Sequence, residues 1–140
     1  MVLAFAGPAL SQIQLGTDID GEAANDFSGI SVSLSRGGSR VEIGAPYANG
    51  NDSGHVRVYE YSGGAWSKVG VDIDGEGVGD RSDGEAAGDK SGSSVSLSSD
   101  GTRVAIGAIL NDGNGVNSGH VRVYRLPSAQ TITFAQPLYS

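Results

Sequence analysis

The stretch SGHVRVY occurs twice in this chain, at Ser53–Tyr59 and again, unchanged, at Ser118–Tyr124. Upstream of each copy lies a second matched segment, residues 28–45 and residues 91–108, in which 13 of 18 positions are identical at a constant offset of 63 residues. Repetition on this scale is typical of proteins built from one repeated supersecondary unit. The sequence therefore predicts two copies of one structural unit.

Composition narrows the class of protein. The chain has 140 residues, 38% of them hydrophobic, which suits one folded domain, residues 1–140, with a real core. Its 23 glycines have no collagen-like period, so they indicate a turn-rich all-β protein. A net charge of −7 argues against nucleic acid as a partner. The absence of cysteine excludes disulfides, thiolate zinc sites and cysteine nucleophiles.

The N-terminal run Val2–Leu10 is apolar, but it lacks the basic start of a signal peptide and is too short to span a bilayer. We interpret it as the start of the fold, with the remnant of a secretion signal as the alternative. No other segment approaches about 18 consecutive apolar residues, so we expect no membrane insertion.

Alternating side chains predict the strands. Ser31–Ser35 (SVSLS) places Val32 and Leu34 on one face and three serines on the other, which is the period of a strand. The dipeptide Gly37-Gly38, replaced by Asp100-Gly101 in the second copy, favours a two-residue hairpin turn. Three further strands complete an antiparallel meander in the first unit: Arg40–Ala45, His55–Tyr61 and Trp66–Val71.

The second unit repeats this plan with a longer linker before it and a longer loop between its second and third strands. Thr131–Phe134 is the best candidate for its fourth strand. The two units then cover about residues 18–71 and 72–135.

A unit of about four strands and 60 residues is typical of a β-propeller blade. Small serines opposite Val32 and Leu34 would let a neighbouring sheet approach closely. A two-sheet β-sandwich is the alternative, and it would leave Arg57, Tyr59 and Tyr61 on a solvent-facing side.

Propellers need about four to eight blades, so two units require further repeats or self-association to close a ring. Two blades per chain close only at even totals, such as three or four chains. The segment Gln12–Thr17 precedes DIDGE as the predicted fourth strand does, and it therefore resembles a fourth strand without the other three. Such a strand could complete the sheet of a neighbouring unit, in the same chain or in another copy.

The residues also resemble a family. Phe27–Val32 (FSGISV) followed by Arg40–Pro46 (RVEIGAP), and SGSSV followed by RVAIGA in the second unit, resemble FG-GAP repeats, the blade units of the integrin α-chain propeller. The resemblance implies a propeller fold and an extracellular or cell-surface location. The calcium loop of the family lies between the first two strands; here that place reads RGGS and SSDG, in which Asp100 is the one acidic residue.

A second place for calcium is the repeated DIDGE, at Asp18–Glu22 and Asp72–Glu76. Its acidic residues alternate, so Asp72, Asp74 and Glu76 are weak candidates for an oxygen cage around calcium. Acidic linkers are more often solvated turns, and we expect no other cofactor.

The chain has two histidines, His55 and His120, and histidine is the most frequent general base in enzymes, so both are candidates for a catalytic role. Each occupies the same place in its unit, one residue after a glycine, so we expect a repeated structural contact instead. Motifs for a nucleophile elbow, a zinc protease or a phosphate-binding loop do not occur. No catalytic residue is therefore predicted.

Two hypotheses for the function are compatible with these sequence features. The first is a non-enzymatic interaction module that displays Asn-, Asp- and Gly-rich loops to a protein or glycan. The second is a repeat segment of a larger propeller-bearing enzyme that acts on polysaccharide or phosphoester substrates. We favour the first, because nothing in this sequence supplies paired acids that flank a plausible catalytic site.

Overall fold

The computed structural model describes residues 11–48, 52–75 and 88–128. Three features predicted from the sequence lie outside these ranges: the apolar run Val2–Leu10, the calcium candidate Glu76 and the strand Thr131–Phe134. Within the described residues, no helix is long and apolar enough to cross a membrane.

The first unit forms an antiparallel sheet in which the first four strands lie beside their neighbours in sequence, as predicted, and a short fifth strand pairs with the third. Its alternating segment and the SGHVRVY copy form strands because β-branched and aromatic residues pack well on a pleated surface. The strands are β1 (Ser31–Leu34), β2 (Arg40–Ala45), β3 (His55–Ser62), β4 (Ala65–Lys68) and β5 (Ile73–Asp74).

The second unit repeats the arrangement. In the described residues it forms a three-stranded antiparallel sheet, with β7 between the other two strands. Its strands are β6 (Ser91–Leu97), β7 (Arg103–Ala108) and β8 (His120–Arg125). All-β class and two repeated antiparallel units are thus confirmed.

The predicted fourth strand of the first unit is interrupted. β4 ends at Lys68, and Gly70 has a φ of +74°, which takes the chain out of the extended conformation. β5 then pairs with β3 again, so the outer strand advances from Lys68 to Ile73 while β3 advances only from Tyr59 to Val56. Two extra residues bulge out, and the first sheet extends past Val71, where the sequence analysis placed its end.

The hairpin turn differs from the prediction. Ser35 and Arg40 close a four-residue loop, in which the amide of Gly38 donates to the carbonyl of Ser35 at 2.9 Å. Gly38 and Gly101 have φ near +70°, but Gly37 and Asp100 are not in the left-handed region. The two-residue turn was therefore wrong, because the positive φ is needed at one position instead of two.

The two sheets stack face to face. The inner face of the first sheet presents Ser31, Ser33, Gly44, Val56 and Val58. The inner face of the second presents Val95, Leu97, Val104 and Ile106, which pack with Val56 and Val58 in the core.

The small residues allow a close approach between the two sheets. Ser31 donates to the carbonyl of Gly92 at 2.6 Å, and the Ser33 hydroxyl accepts from the amide of Leu97 at 2.9 Å. A Cβ on Gly44 would collide with the Gly92 carbonyl oxygen. The predicted role of the serines is confirmed for this pair of sheets.

The opposite, outer face of the first sheet is partly covered by the segment that precedes β1. Trp66 donates from its indole nitrogen to the carbonyl of Leu15 at 2.7 Å, and its ring lies 5.1 Å from that of Tyr61. The same face carries Arg57, which is buried, and Tyr59, which is half-buried. The exposure of Arg57 that the sandwich alternative required is therefore not found, and neither sheet closes on itself.

Candidate ligand-binding surface

Four loop segments meet at one end of the stacked sheets. In an antiparallel meander the start of the first strand, the end of the second and the start of the third lie at the same end of the sheet. The described residues just before β1 (22–30) and β6 (88–90) therefore lie beside the described residues of the loops that follow β2 (46–48 and 52–54) and β7 (109–119); we call this region the loop end. It contains a pocket of about 490 Å³ whose lining includes Glu22, Asp26, Phe27, Tyr47, Asp52 and His55.

An aromatic pair lies at the mouth of this pocket. The rings of Phe27 and Tyr47 are 5.0 Å apart and tilted by 54°, and both side chains are exposed. Phe27 itself has a φ of +53°, a conformation that is costly for a bulky residue. Aromatic side chains held in this way offer a rigid apolar contact area.

Lys90 joins the two units beside the pair. Its ammonium nitrogen lies 3.4 Å from the centre of the Tyr47 ring and 2.7 Å from a carboxylate oxygen of Asp52. A second pocket of about 320 Å³ adjoins Tyr47 and Lys90 and is lined further by Ile30, Pro46 and Ile109. The loop end thus combines apolar, acidic and basic groups around one tyrosine.

The histidines begin the third strand of each unit, as the sequence predicted. His55 is buried, and its Nε2 accepts a hydrogen bond from Nε of Arg57 at 3.1 Å. His120 is half-buried. The structural contact predicted for the histidines is confirmed for His55.

Three possible metal ligands converge next to the pocket. Single ligand atoms of Glu22, His55 and Asp72 lie within 4.8 Å of one another. Each of these groups already has a cationic neighbour: Lys68 is 2.8 Å from Asp72, and Arg57 contacts both Glu22, at 3.4 Å, and His55. A metal ion would have to compete with these two side chains.

The predicted calcium residues are not all brought together. Asp72 joins the cluster with Glu22 and His55, whereas Asp74 lies in β5 opposite His55 in the ladder. Calcium at Asp72 and Asp74 stays a prediction. If the ion binds, thermal unfolding of the chain should shift to higher temperature with calcium and return with chelator, because binding to the folded state stabilises it. An unchanged midpoint would exclude a bound ion.

Three residues of the loop end were not predicted from the sequence: Tyr47, Asp52 and Lys90. Tyr47 and Asp52 stand in a loop of turn-forming residues, and Lys90 is one of only two lysines in an acidic chain. The isolated positive charge at the end of the acidic linker is the signal that could have drawn attention to Lys90. Its contact with Tyr47 depends on how the two units stack, which periodicity does not reveal.

The match to known proteins falls on the second unit. Residues 81–124 match the family model of the FG-GAP repeat. The matched segment includes β6, β7 and β8, so the resemblance seen in SGSSV and RVAIGA is confirmed. No curated protein matched the chain. The first unit lies outside the match but shares 13 of 18 positions over residues 28–45 with the matched second unit, together with its order of strands.

Proposed function

We propose that this chain is a non-enzymatic interaction module, built of FG-GAP-type propeller blades, whose loop end binds a protein or glycan partner. The observation that carries the proposal is the exposed Phe27–Tyr47 pair at the mouth of a pocket lined by carboxylates. Ligand sites combine an apolar surface with a few convergent polar groups, and aromatic residues supply much of the binding energy.

The described parts of the loop end are also linked across the two units. Lys90 connects the loop that carries Tyr47 and Asp52 to the start of the second sheet, both through its side chain and through a backbone hydrogen bond to Asp52 at 3.2 Å. A preorganised surface loses less conformational entropy on binding. By resemblance to FG-GAP proteins, the module works outside the cell or at its surface.

A binding screen with a matched variant tests this proposal. The labelled chain is applied to an array of glycans and an array of peptides, together with Tyr47→Ala and, as a control, Arg36→Ala at the opposite end of the sheets. We expect binding to one class of probe that is lost in Tyr47→Ala and kept in Arg36→Ala. Equal binding by both variants, or no binding to either array, would contradict a ligand site at the loop end.

The alternative, a repeat segment of a larger propeller-bearing enzyme, stays a hypothesis about a longer polypeptide. No arrangement among the described residues favours it over the binding module.

A further inference from the structure

The buried contact between the two sheets has an exposed counterpart on each side of the molecule. Because the units are repeats, each residue at the contact has an equivalent in the other unit. Val56 and Val58 on the inner face of the first sheet are 0% and 2% exposed, whereas their equivalents Val121 and Val123 are 67% and 64% exposed. The outer face of the second sheet therefore carries an unused copy of the first sheet's inner face.

The first sheet, in turn, exposes the equivalents of residues that the second sheet buries at the contact. Leu97 on the inner face of the second sheet is 8% exposed, whereas its equivalent Leu34 is 58% exposed, and Val32 beside it is 61% exposed. Exposed aliphatic pairs on regular strands are unusual on the surface of a monomer and mark contact sites. The β1 side of the first sheet's outer face therefore carries an unused copy of the β6 side of the second sheet's inner face, whereas Val41 and Ile43, the equivalents of Val104 and Ile106, are already buried.

The residues that make the polar contacts between the sheets also have equivalents in the other unit. Ser31, which bonds to Gly92, has its equivalent in Ser94, and Gly92 has its equivalent in Gly29. Ser33, which bonds to Leu97, corresponds in the same way to Ser96. Both Ser94 and Ser96 lie exposed on the outer face of the second sheet, beside Val121 and Val123.

We infer that a second copy of this chain docks head-to-tail, with the outer face of its second sheet against the outer face of the first sheet. The occupant is specified by continuity, since the new contact repeats, at β1, the contact that β6 already makes with the first sheet within the chain. Residues 11–22 lie over the β3 and β4 side of the receiving face, which leaves the β1 side, with Val32 and Leu34, for the incoming sheet.

One difference between the units favours this contact and one does not. Glu42, buried at the existing contact, is replaced by Ala105 on the docking face, so docking buries no carboxylate there. Arg40 bonds to the carbonyl of Gly101 and to Glu60, but in the second unit Arg125 stands in place of Glu60. Arg103 keeps the first of these bonds available, toward Gly38 of the other copy.

A heterologous contact of this kind propagates until it closes. Rings of three or four chains would contain six or eight sheets, within the range of about four to eight that propellers use. The association is separate from the loop end, so a failed ligand screen leaves it untouched.

Two variants that each disable one face test the inference in solution. Leu34→Glu charges the receiving face and Val123→Glu the docking face, while Val116→Glu places the same charge on an exposed loop as a control. By light scattering we expect the original chain and the control to be oligomers and each face variant to be a monomer. Mixing the two face variants should give a one-to-one dimer, because each retains the face that the other has lost.

A monomeric original chain at submillimolar concentration would overturn the inference and leave the two faces to other repeats of a longer polypeptide. Full-size oligomers of either face variant, or a mixture that stays monomeric, would overturn the head-to-tail pairing. If a glutamate variant does not fold by circular dichroism, Leu34→Thr and Val123→Thr replace the pair. Each should then raise the dissociation constant about tenfold, as expected for the loss of one buried aliphatic contact, and an unchanged constant would count against the inference.

Discussion

Glu42 illustrates how a single residue can lower stability. It is fully buried between the two sheets, and neither carboxylate oxygen has a hydrogen-bond partner among the described residues. Burial raises the pKa of Glu42 to about 8, since the charged form is poorly solvated there. The folded chain therefore holds a proton that the unfolded chain has already lost, from the ordinary pKa of 4.5 up to about 8.

This shift gives a prediction with a definite sign. In that pH window the unfolded state binds fewer protons, so Glu42 should make stability fall as pH rises, by about 1.4 kcal/mol per pH unit. Glu42→Gln, which keeps the volume, and Glu42→Ala, the residue of the second unit, should both remove this slope. Urea unfolding of the three proteins between pH 5 and pH 8 measures it. Parallel curves for the original chain and Glu42→Gln would mean that Glu42 is ionised in the folded state.

The glycine at the hairpin turn makes a second residue-scale prediction. Gly101→Val should destabilise the second unit by about 1–2 kcal/mol, because a β-branched residue fits poorly at positive φ. The new Cβ would also lie 3.0 Å from Cδ of Arg40 in the other unit. Gly37→Val is the matched control, since Gly37 has no positive φ and open space around it. Chemical unfolding should show a clearly smaller loss for Gly37→Val than for Gly101→Val.

At the scale of elements, the segment before β1 covers part of the first sheet without forming a strand. Trp66 is half-buried, and its neighbours are Leu15, Gly16 and Tyr61. The resemblance of Gln12–Thr17 to a fourth strand is visible only in part, because the segment lies on the first sheet without pairing as a strand.

The fluorescence of Trp66 therefore reports whether this segment covers the first sheet. Gly16 has a φ of +70°, and a Cβ there would lie 3.0 Å from Cδ1 of the indole. Gly16→Val should displace the segment, shift the tryptophan emission to the red and increase its quenching by acrylamide. Gly29→Val, which has the same kind of φ but open space, should leave the emission unchanged. A red shift of equal size in both variants would show that the segment does not shield Trp66.

What the sequence could predict at this scale follows from the repeat. Strands β1, β2 and β3 lie within a residue of the predicted bounds, because alternation and duplication act locally. The bulge at Gly70 and the single positive φ in each hairpin were missed, because glycine permits several turn geometries. The loop end could be predicted as Asn- and Asp-rich but not as a site, since Lys90 meets Tyr47 only after the sheets stack.

For the whole molecule, the stacking of sheets sets both stability and association. The backbones of the two sheets approach so closely that the residue between them must lack a side chain. In the first unit that residue is Gly44. Its repeat equivalent is Gly107 on the outer face of the second sheet, where the nearest atom to an added Cβ is the movable hydroxyl of Ser94. The same substitution therefore has different consequences at the two positions.

Gly44→Ala should destabilise the chain by about 2 kcal/mol or more, because the methyl group meets the Gly92 carbonyl and forces the two sheets apart. Gly107→Ala should cost about 0.5 kcal/mol or less in the monomer, since Ser94 can rotate away. If copies dock as inferred, however, Gly107→Ala places a methyl group against Gly29 of the next chain and should weaken association. Unfolding in urea and light scattering on both variants separate these effects. A Gly107→Ala chain that associates as tightly as the original would place the contact elsewhere, while an unchanged midpoint for Gly44→Ala would mean that the sheets are not stacked at this spacing.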